Sequence, residues 1–150
     1  GRHACALDTS GAAICWGRED GFQGGASPLN EPSPPGEFVQ LSAAHYFTCG
    51  VDAAGSLKCW GSLSQGQDEA PESLSFQSVL GATVHSCGLT LDDELACWGS
   101  NSFGRTDSPE GTFRQFDVNQ LHSCAVNTGG LIECWGYDEF EKTTPPTCAP

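Results

Sequence analysis

Cysteine and histidine carry most of the chemistry this chain can offer, and their spacing decides which chemistry it is. Eight of the nine cysteines fall in four copies of Cys-x9-Cys-Trp-Gly, at Cys5/Cys15, Cys49/Cys59, Cys87/Cys97 and Cys124/Cys134. Three units place a histidine two residues ahead of the first cysteine (His3, His85, His122), and the second unit has Phe47 there. His-x-Cys with one later cysteine supplies only three zinc ligands, and zinc sites favour shorter Cys-x2-4-Cys steps. The acidic clusters Asp92-Asp-Glu94 and Asp138-Glu-Phe-Glu141 offer oxygen ligands of the kind calcium takes, but solvated loop charge accounts for them. No metal and no cofactor is assigned. A catalytic site is normally present once, whereas these residues recur in every unit. No Gly-x-Ser-x-Gly, phosphate loop or framed carboxylate pair accompanies them, so no catalytic residue is assigned and the chain reads as non-enzymatic.

The remaining chemistry is disulfide formation, and the unit is symmetrical in a way that suits it. The residues two places after the first cysteine are Leu7, Val51, Leu89 and Val126, and those two places before the second are Ala13, Leu57, Leu95 and Ile132. If the cysteines face each other across a β-hairpin, these apolar residues pair on the same side of the ribbon. A three-residue loop is left, ending in Gly11, Gly55, Asp93 or Gly130, where a type I turn followed by a left-handed residue needs glycine or tolerates aspartate. Each unit is therefore expected to be a hairpin pinned by its own cross-strand disulfide. All four tryptophans follow the second cysteine, as Trp16, Trp60, Trp98 and Trp135. Repetition favours packing over ligand binding for them. The small residues after the first cysteine (Ala6, Gly50, Gly88, Ala125) are expected to leave room for the indole.

The second cysteines lie 44, 38 and 37 residues apart, a period that indicates a propeller, a solenoid or an array of one supersecondary unit. Units of about 1–37, 38–75, 76–112 and 113–150 follow within a single repeat domain. Phe38-Val-Gln-Leu-Ser-Ala43, Phe76-Gln-Ser-Val-Leu-Gly-Ala82 and Phe113-Arg-Gln-Phe-Asp-Val-Asn119 read as strands, each leading into the next hairpin. None precedes the first hairpin. The missing strand is expected from a preceding domain or another copy of the chain, by strand addition.

These motifs resemble the cysteine-rich branch of the regulator of chromosome condensation repeat superfamily. The best copies are His85-Ser-Cys87-Gly-Leu89 with Cys97-Trp-Gly99-Ser-Asn101, and His122-Ser-Cys124-Ala-Val126 with Cys134-Trp-Gly136. The branch includes bacterial secreted proteins and the ectodomains of Crinkly-type plant receptor kinases. The resemblance implies an all-β fold, a small or incomplete β-propeller of four disulfide-pinned hairpins. Family propellers have about seven blades.

Nineteen acidic residues against six basic ones give a formal charge of −13, which repels a nucleic-acid backbone. No apolar run is long enough to cross a bilayer, and neither a signal peptide nor an initiator methionine is present, so a mature product, a fragment or one domain of a longer protein is expected. Disulfides place the chain in an oxidising compartment, extracellular or at the cell surface. Each closed loop contributes about 3 kcal/mol in the chain-entropy model. Cys148 stands outside the repeat and is a candidate for an intermolecular disulfide. Segments 27–36 and 143–150 are rich in Pro, Ser and Thr. Linker is their default reading, and they also resemble glycosylated wall-protein tracts, making Ser33, Pro34, Pro35, Thr143, Thr144 and Thr147 candidates for O-glycosylation. The function expected first is a structural module that self-assembles, or joins neighbouring domains, into a fibre or surface coat. The alternative is a secreted or ectodomain propeller that binds a protein or glycan ligand, with variable loops such as Arg18 to Glu37 carrying specificity.

Overall fold

The computed structural model describes residues 3–17, 33–138 and 143–145, and within them eleven β-strands form four antiparallel sheets. The first sheet has two strands, β1 (His3–Leu7) and β2 (Ala13–Gly17). The other three have three strands each: β3 (Phe38–Ala43), β4 (Phe47–Asp52) and β5 (Leu57–Gly61); β6 (Phe76–Gly81), β7 (His85–Thr90) and β8 (Leu95–Gly99); β9 (Phe113–Val118), β10 (His122–Asn127) and β11 (Ile132–Gly136). Among the described residues the one helical element is a 3-10 turn at Ser102–Gly104. The fold is all-β, a partial propeller whose blades are the sheets.

Each hairpin has the register expected from the symmetry of the unit. Cysteine faces cysteine, and Leu7 pairs with Ala13, Val51 with Leu57, Leu89 with Leu95 and Val126 with Ile132. The four disulfides span Cα separations of 4.0 to 4.1 Å, the close approach of a cross-strand pair that exchanges no main-chain hydrogen bonds. The loop-closing residues adopt left-handed backbone, with φ of 82° at Gly11, 83° at Gly55, 63° at Asp93 and 89° at Gly130. Their carbonyls do further work. Gly11, Gly55 and Asp93 accept the main-chain N–H of Phe38, Phe76 and Phe113 at 2.8, 2.9 and 2.8 Å, so each turn anchors the first residue of the next blade.

The Phe-led strands carry a bulge immediately after the phenylalanine, where Val39, Gln77 and Arg114 swing outward. Without it, a residue three places on would face the opposite side of the sheet. With it, Phe38 and Leu41 lie together over Gly50. This corrects the expectation about the small residue after the first cysteine. The space is taken by phenylalanine and not by the indole: a Cβ on Gly50 would meet the Phe38 ring at 2.6 Å, and one on Gly88 the Phe76 ring at 2.5 Å. Tryptophan lies alongside, with ring centroids 5.8 Å apart for Phe38 and Trp60 and 5.4 Å for Phe76 and Trp98.

The core is divided among the interfaces between sheets, and each interface has the same polarity. The disulfide face of one sheet meets the Phe/Trp face of the next: Ala13, Leu7 and Cys15 against Phe38 and Trp60; Cys49, Val51 and Leu57 against Phe76 and Trp98; Cys87, Leu89 and Leu95 against Phe113 and Trp135. The Phe-led strands run side by side along the array. Gln40 clamps the next such strand, accepting from the Val79 N–H at 3.0 Å and donating to its carbonyl at 2.9 Å, while Ser42 Oγ accepts from the Gly81 N–H at 3.0 Å.

The glycine after each tryptophan closes the hairpin base. Gly99 has φ of 98°, and a Cβ there would sit 2.8 Å from the Val84 carbonyl oxygen and 2.9 Å from the His85 Cα. Ser100 N–H then donates to that same carbonyl at 2.9 Å. Gly99→Ala is expected to lower the unfolding free energy by about 1–3 kcal/mol, measured by urea denaturation with the disulfides intact, because both the backbone angle and main-chain atoms oppose a side chain.

Candidate functional site

A directional array of sheets leaves two unlike ends, and both are open among the described residues. At the first end the Trp face of β1 and β2 has no sheet before it. Ala4, Ala6, Ile14 and Trp16 share this face and are all exposed. Trp16 is 55% exposed, whereas Trp60, Trp98 and Trp135 are 3, 5 and 7% exposed at the equivalent position. The outer position opposite the small residue is Lys58, Ala96 or Glu133 in the later blades but Ile14 here, so this face is wholly apolar.

At the other end the disulfide face of β10 and β11 has no following sheet among the described residues. A shallow, mainly apolar hollow lies over Cys124, lined by Val126 and Ile132, with Gln115 and Asp117 of β9 paired beside them on the same face. Ile132 is 42% exposed. The equivalent cysteines Cys49 and Cys87 are completely covered by the blades that follow them. The two ends are thus the separated halves of the interface that occurs three times inside the array.

Histidines punctuate the same interfaces. His3 Nε2 lies 2.8 Å from Thr48 Oγ1, and His85 Nε2 lies 3.5 Å from Ser123 Oγ, so each reaches the hydroxyl residue preceding the first cysteine of the next blade. In the second sheet Phe47 fills that position without a polar group, against Gly81, where a Cβ would meet its ring at 2.9 Å. His85 is completely enclosed, and burial, with the nearby Arg105 charge second, lowers its pKa to about 4. Burial also lowers the pKa of His3.

The other residues singled out from the sequence do not gather into one site. Ser33 is half-buried and its hydroxyl donates to the Ala13 carbonyl at 2.9 Å; Pro34 is half-buried beside it, and Pro35 is exposed. Thr143 is half-buried, with its N–H donating to Asp138 at 2.8 Å, and Thr144 is exposed. Thr147 and Cys148 lie outside the described residues, as does most of the Arg18 to Glu37 loop. Among the described residues no group of three or more His, Cys, Asp or Glu is arranged to hold a metal ion, and no helix is long and apolar enough to cross a membrane. Asp93 spends its carboxylate on the Gln77 amide at 2.7 Å.

One recurrent residue escapes the reading of the sequence. Asp8, Asp52, Thr90 and Asn127, three places after the first cysteine, each accept main-chain N–H groups across their own turn. Hydrogen bonds from Ser10 hold the Asp8 carboxyl below its ordinary pKa, and the Ser56 N–H does the same first for Asp52. Their shared offset from the cysteine, in residue types that cap turns, was the available signal.

Residues 84–105 match the family model of the regulator of chromosome condensation (RCC1) repeat. Among solved structures, the chain is 28% identical to the ectodomain of the Physcomitrella patens receptor kinase CR4, covering 89% of this chain and 36% of that one with a TM-score of 0.72. It is 27% identical to the CRINKLY WD40 ectodomain of the Arabidopsis thaliana receptor kinase ACR4, covering 90% and 46% with a TM-score of 0.68. Prp20p from Saccharomyces cerevisiae shares the fold at 20% identity, covering 97% and 44% with a TM-score of 0.76. The chain thus spans less than half the length of these three. No curated protein matches its sequence.

The buried histidine makes stability depend on pH with a definite sign. The unfolded imidazole takes up a proton near pH 6.5 and the folded one only near pH 4, so the unfolded state binds more protons between these values. The stability His85 contributes is complete above about pH 6.5 and is lost as pH falls towards about 4. His85→Phe, which copies the residue at Phe47, is expected to flatten the pH dependence of the melting temperature across that window while leaving the disulfides in place.

Proposed function

We propose that this chain, a run of RCC1-like repeats, is a non-enzymatic extracellular structural module that joins like modules end to end, into a fibre or surface coat. The observation that carries this reading is the pair of open ends, each the unlike half of one recurrent interface. A head-to-tail contact between unlike faces leaves a free face on each side after every addition, so it closes into a ring or grows into a filament. Four disulfides support an oxidising setting, and likeness to two receptor-kinase ectodomains supports the cell surface. Cys148 would lock neighbouring units covalently. O-linked glycans would sit on the exposed Thr144, on Thr143 and Thr147, and on Pro34 and Pro35 once these are hydroxylated. Ser33 suits the role less well, because its hydroxyl is already donating.

The ectodomain likeness favours a second reading, recognition of a protein or glycan ligand by a secreted propeller. Its loops would then carry specificity and its ends would be covered by further blades.

Sedimentation velocity on the protein from its native source, followed by electron microscopy, tests the first reading. Concentration-dependent growth, strengthened by salt because each unit carries a formal charge of −13, is the expected result. Trp16→Ala and Ile132→Asp, placed on opposite ends, are each expected to weaken association by about tenfold or more, a loss of roughly 1.4 kcal/mol. A monomer at all concentrations and salt levels would favour the second reading. Peptide mapping of native material that finds Thr143, Thr144 and Thr147 bare and Pro34 and Pro35 unhydroxylated would remove the glycan.

A further inference from the structure

The first sheet lacks what the other three share. β4, β7 and β10 each pair on their second edge with a Phe-led strand, while β1 has no partner on that edge among the described residues. We infer that β1 accepts, from another polypeptide, an extended segment that begins with phenylalanine and carries a large apolar residue three places on, with its phenyl ring lying over Ala6 against Trp16. This rests on reading the first end as a joining surface and adds the chemistry of what joins there.

The three internal sheets define the occupant. Phenylalanine is required because the position after the first cysteine is kept small beneath it. Ala6 admits the ring as Ala125 does in the last sheet, where Ala125 and Phe113 are buried in one cluster. The next residue bulges away and is free to vary, as Val39, Gln77 and Arg114 show. The apolar residue then returns to the phenyl side, as Leu41, Val79 and Phe116 do. Glutamine between them adds a clamp. Gln40 grips both main-chain groups of Val79, and the residue of β3 at the place of Val79 is Leu41, which a glutamine on the incoming strand would reach. Four exposed apolar side chains and an open strand edge thus meet at one surface, and main-chain pairing supplies affinity while the phenylalanine supplies selection.

The probe is an acetylated and amidated peptide of residues 37–44, the chain's own Phe-led strand, added to the intact protein at a concentration where sedimentation shows no self-association. Three of the four tryptophans are already buried, so a saturable blue shift of emission that disappears in Trp16→Phe is expected. The same peptide with alanine for Phe38 is expected to bind at least about tenfold more weakly. Ala6→Leu fills the phenyl site on an exposed position and is expected to abolish the shift without lowering the melting temperature. The inference is overturned by no saturable shift at about 1 mM peptide, a concentration that detects even weak binding. It is equally overturned by a shift that survives Ala6→Leu, or by one the alanine peptide reproduces. End-to-end association that persists while the peptide fails to bind overturns strand addition and leaves the reading of the ends intact.

Discussion

A two- or three-stranded sheet cannot cover its own faces, and everything else in this chain follows from how one sheet is made to cover the next. The disulfide is central to that contact in two ways. It staples a hairpin whose strands are only five or six residues long, and it forms the apolar wall on which the next phenylalanine and tryptophan pack. Cys49 and Cys87 are fully buried by this contact. Breaking such a bond would loosen a ribbon and also remove the packing surface of its neighbour. The array therefore depends on oxidised sulfur more than a domain whose disulfides lie outside its core.

Because the two faces of a sheet differ, the contact has a direction. A face that presents sulfur and aliphatic side chains always meets one that presents Phe and Trp. The turn carbonyl that accepts the next phenylalanine's N–H adds the same polarity, since the acceptor belongs to the earlier blade and the donor to the later one. Such an array has no internal stop: the features that join its second sheet to its third would join its last to another. At Gly130 the turn has the left-handed backbone of its three predecessors, and no Phe-led strand follows it among the described residues.

Much of this was legible in the cysteine spacing. Cys-x9-Cys with apolar residues two places inside each cysteine specifies the hairpin, its register and the face the disulfide occupies, because period-two alternation leaves one solution. The left-handed turn residue was visible at Gly11, Gly55 and Gly130, and at Asp93 by position. The role of the small residue after the first cysteine was misread, for a physical reason. The bulge at Val39, Gln77 and Arg114 breaks the alternation of the Phe-led strand, so its phenylalanine and the apolar residue three places on come to one face. No periodicity in a six-residue strand marks such a bulge. The ends left open among the described residues were half legible: the lack of a Phe-led strand ahead of the first hairpin could be expected, whereas the matching vacancy over Cys124 needed the stacking direction, which the sequence of one unit does not contain.

The first end also shows how departures from a repeat carry information. Thr48, Ser86 and Ser123 place a hydroxyl ahead of the first cysteine, where it faces the preceding blade, and His3 and His85 reach for Thr48 and Ser123. The first unit has Ala4 there, and Ile14 where Lys58 and Glu133 stand in others. Both changes remove polarity from one face of one sheet, with no blade to compensate among the described residues. An isolated apolar side chain on a surface requires no explanation, but four on one ribbon beside an unpaired strand edge do. A surface meant for water would keep the lysine or glutamate that two of its sister units carry and the hydroxyl that all three retain. The pattern of replacement therefore points to a covered face, and because the face lacks the hydroxyl, whatever covers it is selected by shape and apolar contact more than by the histidine bond used inside the array.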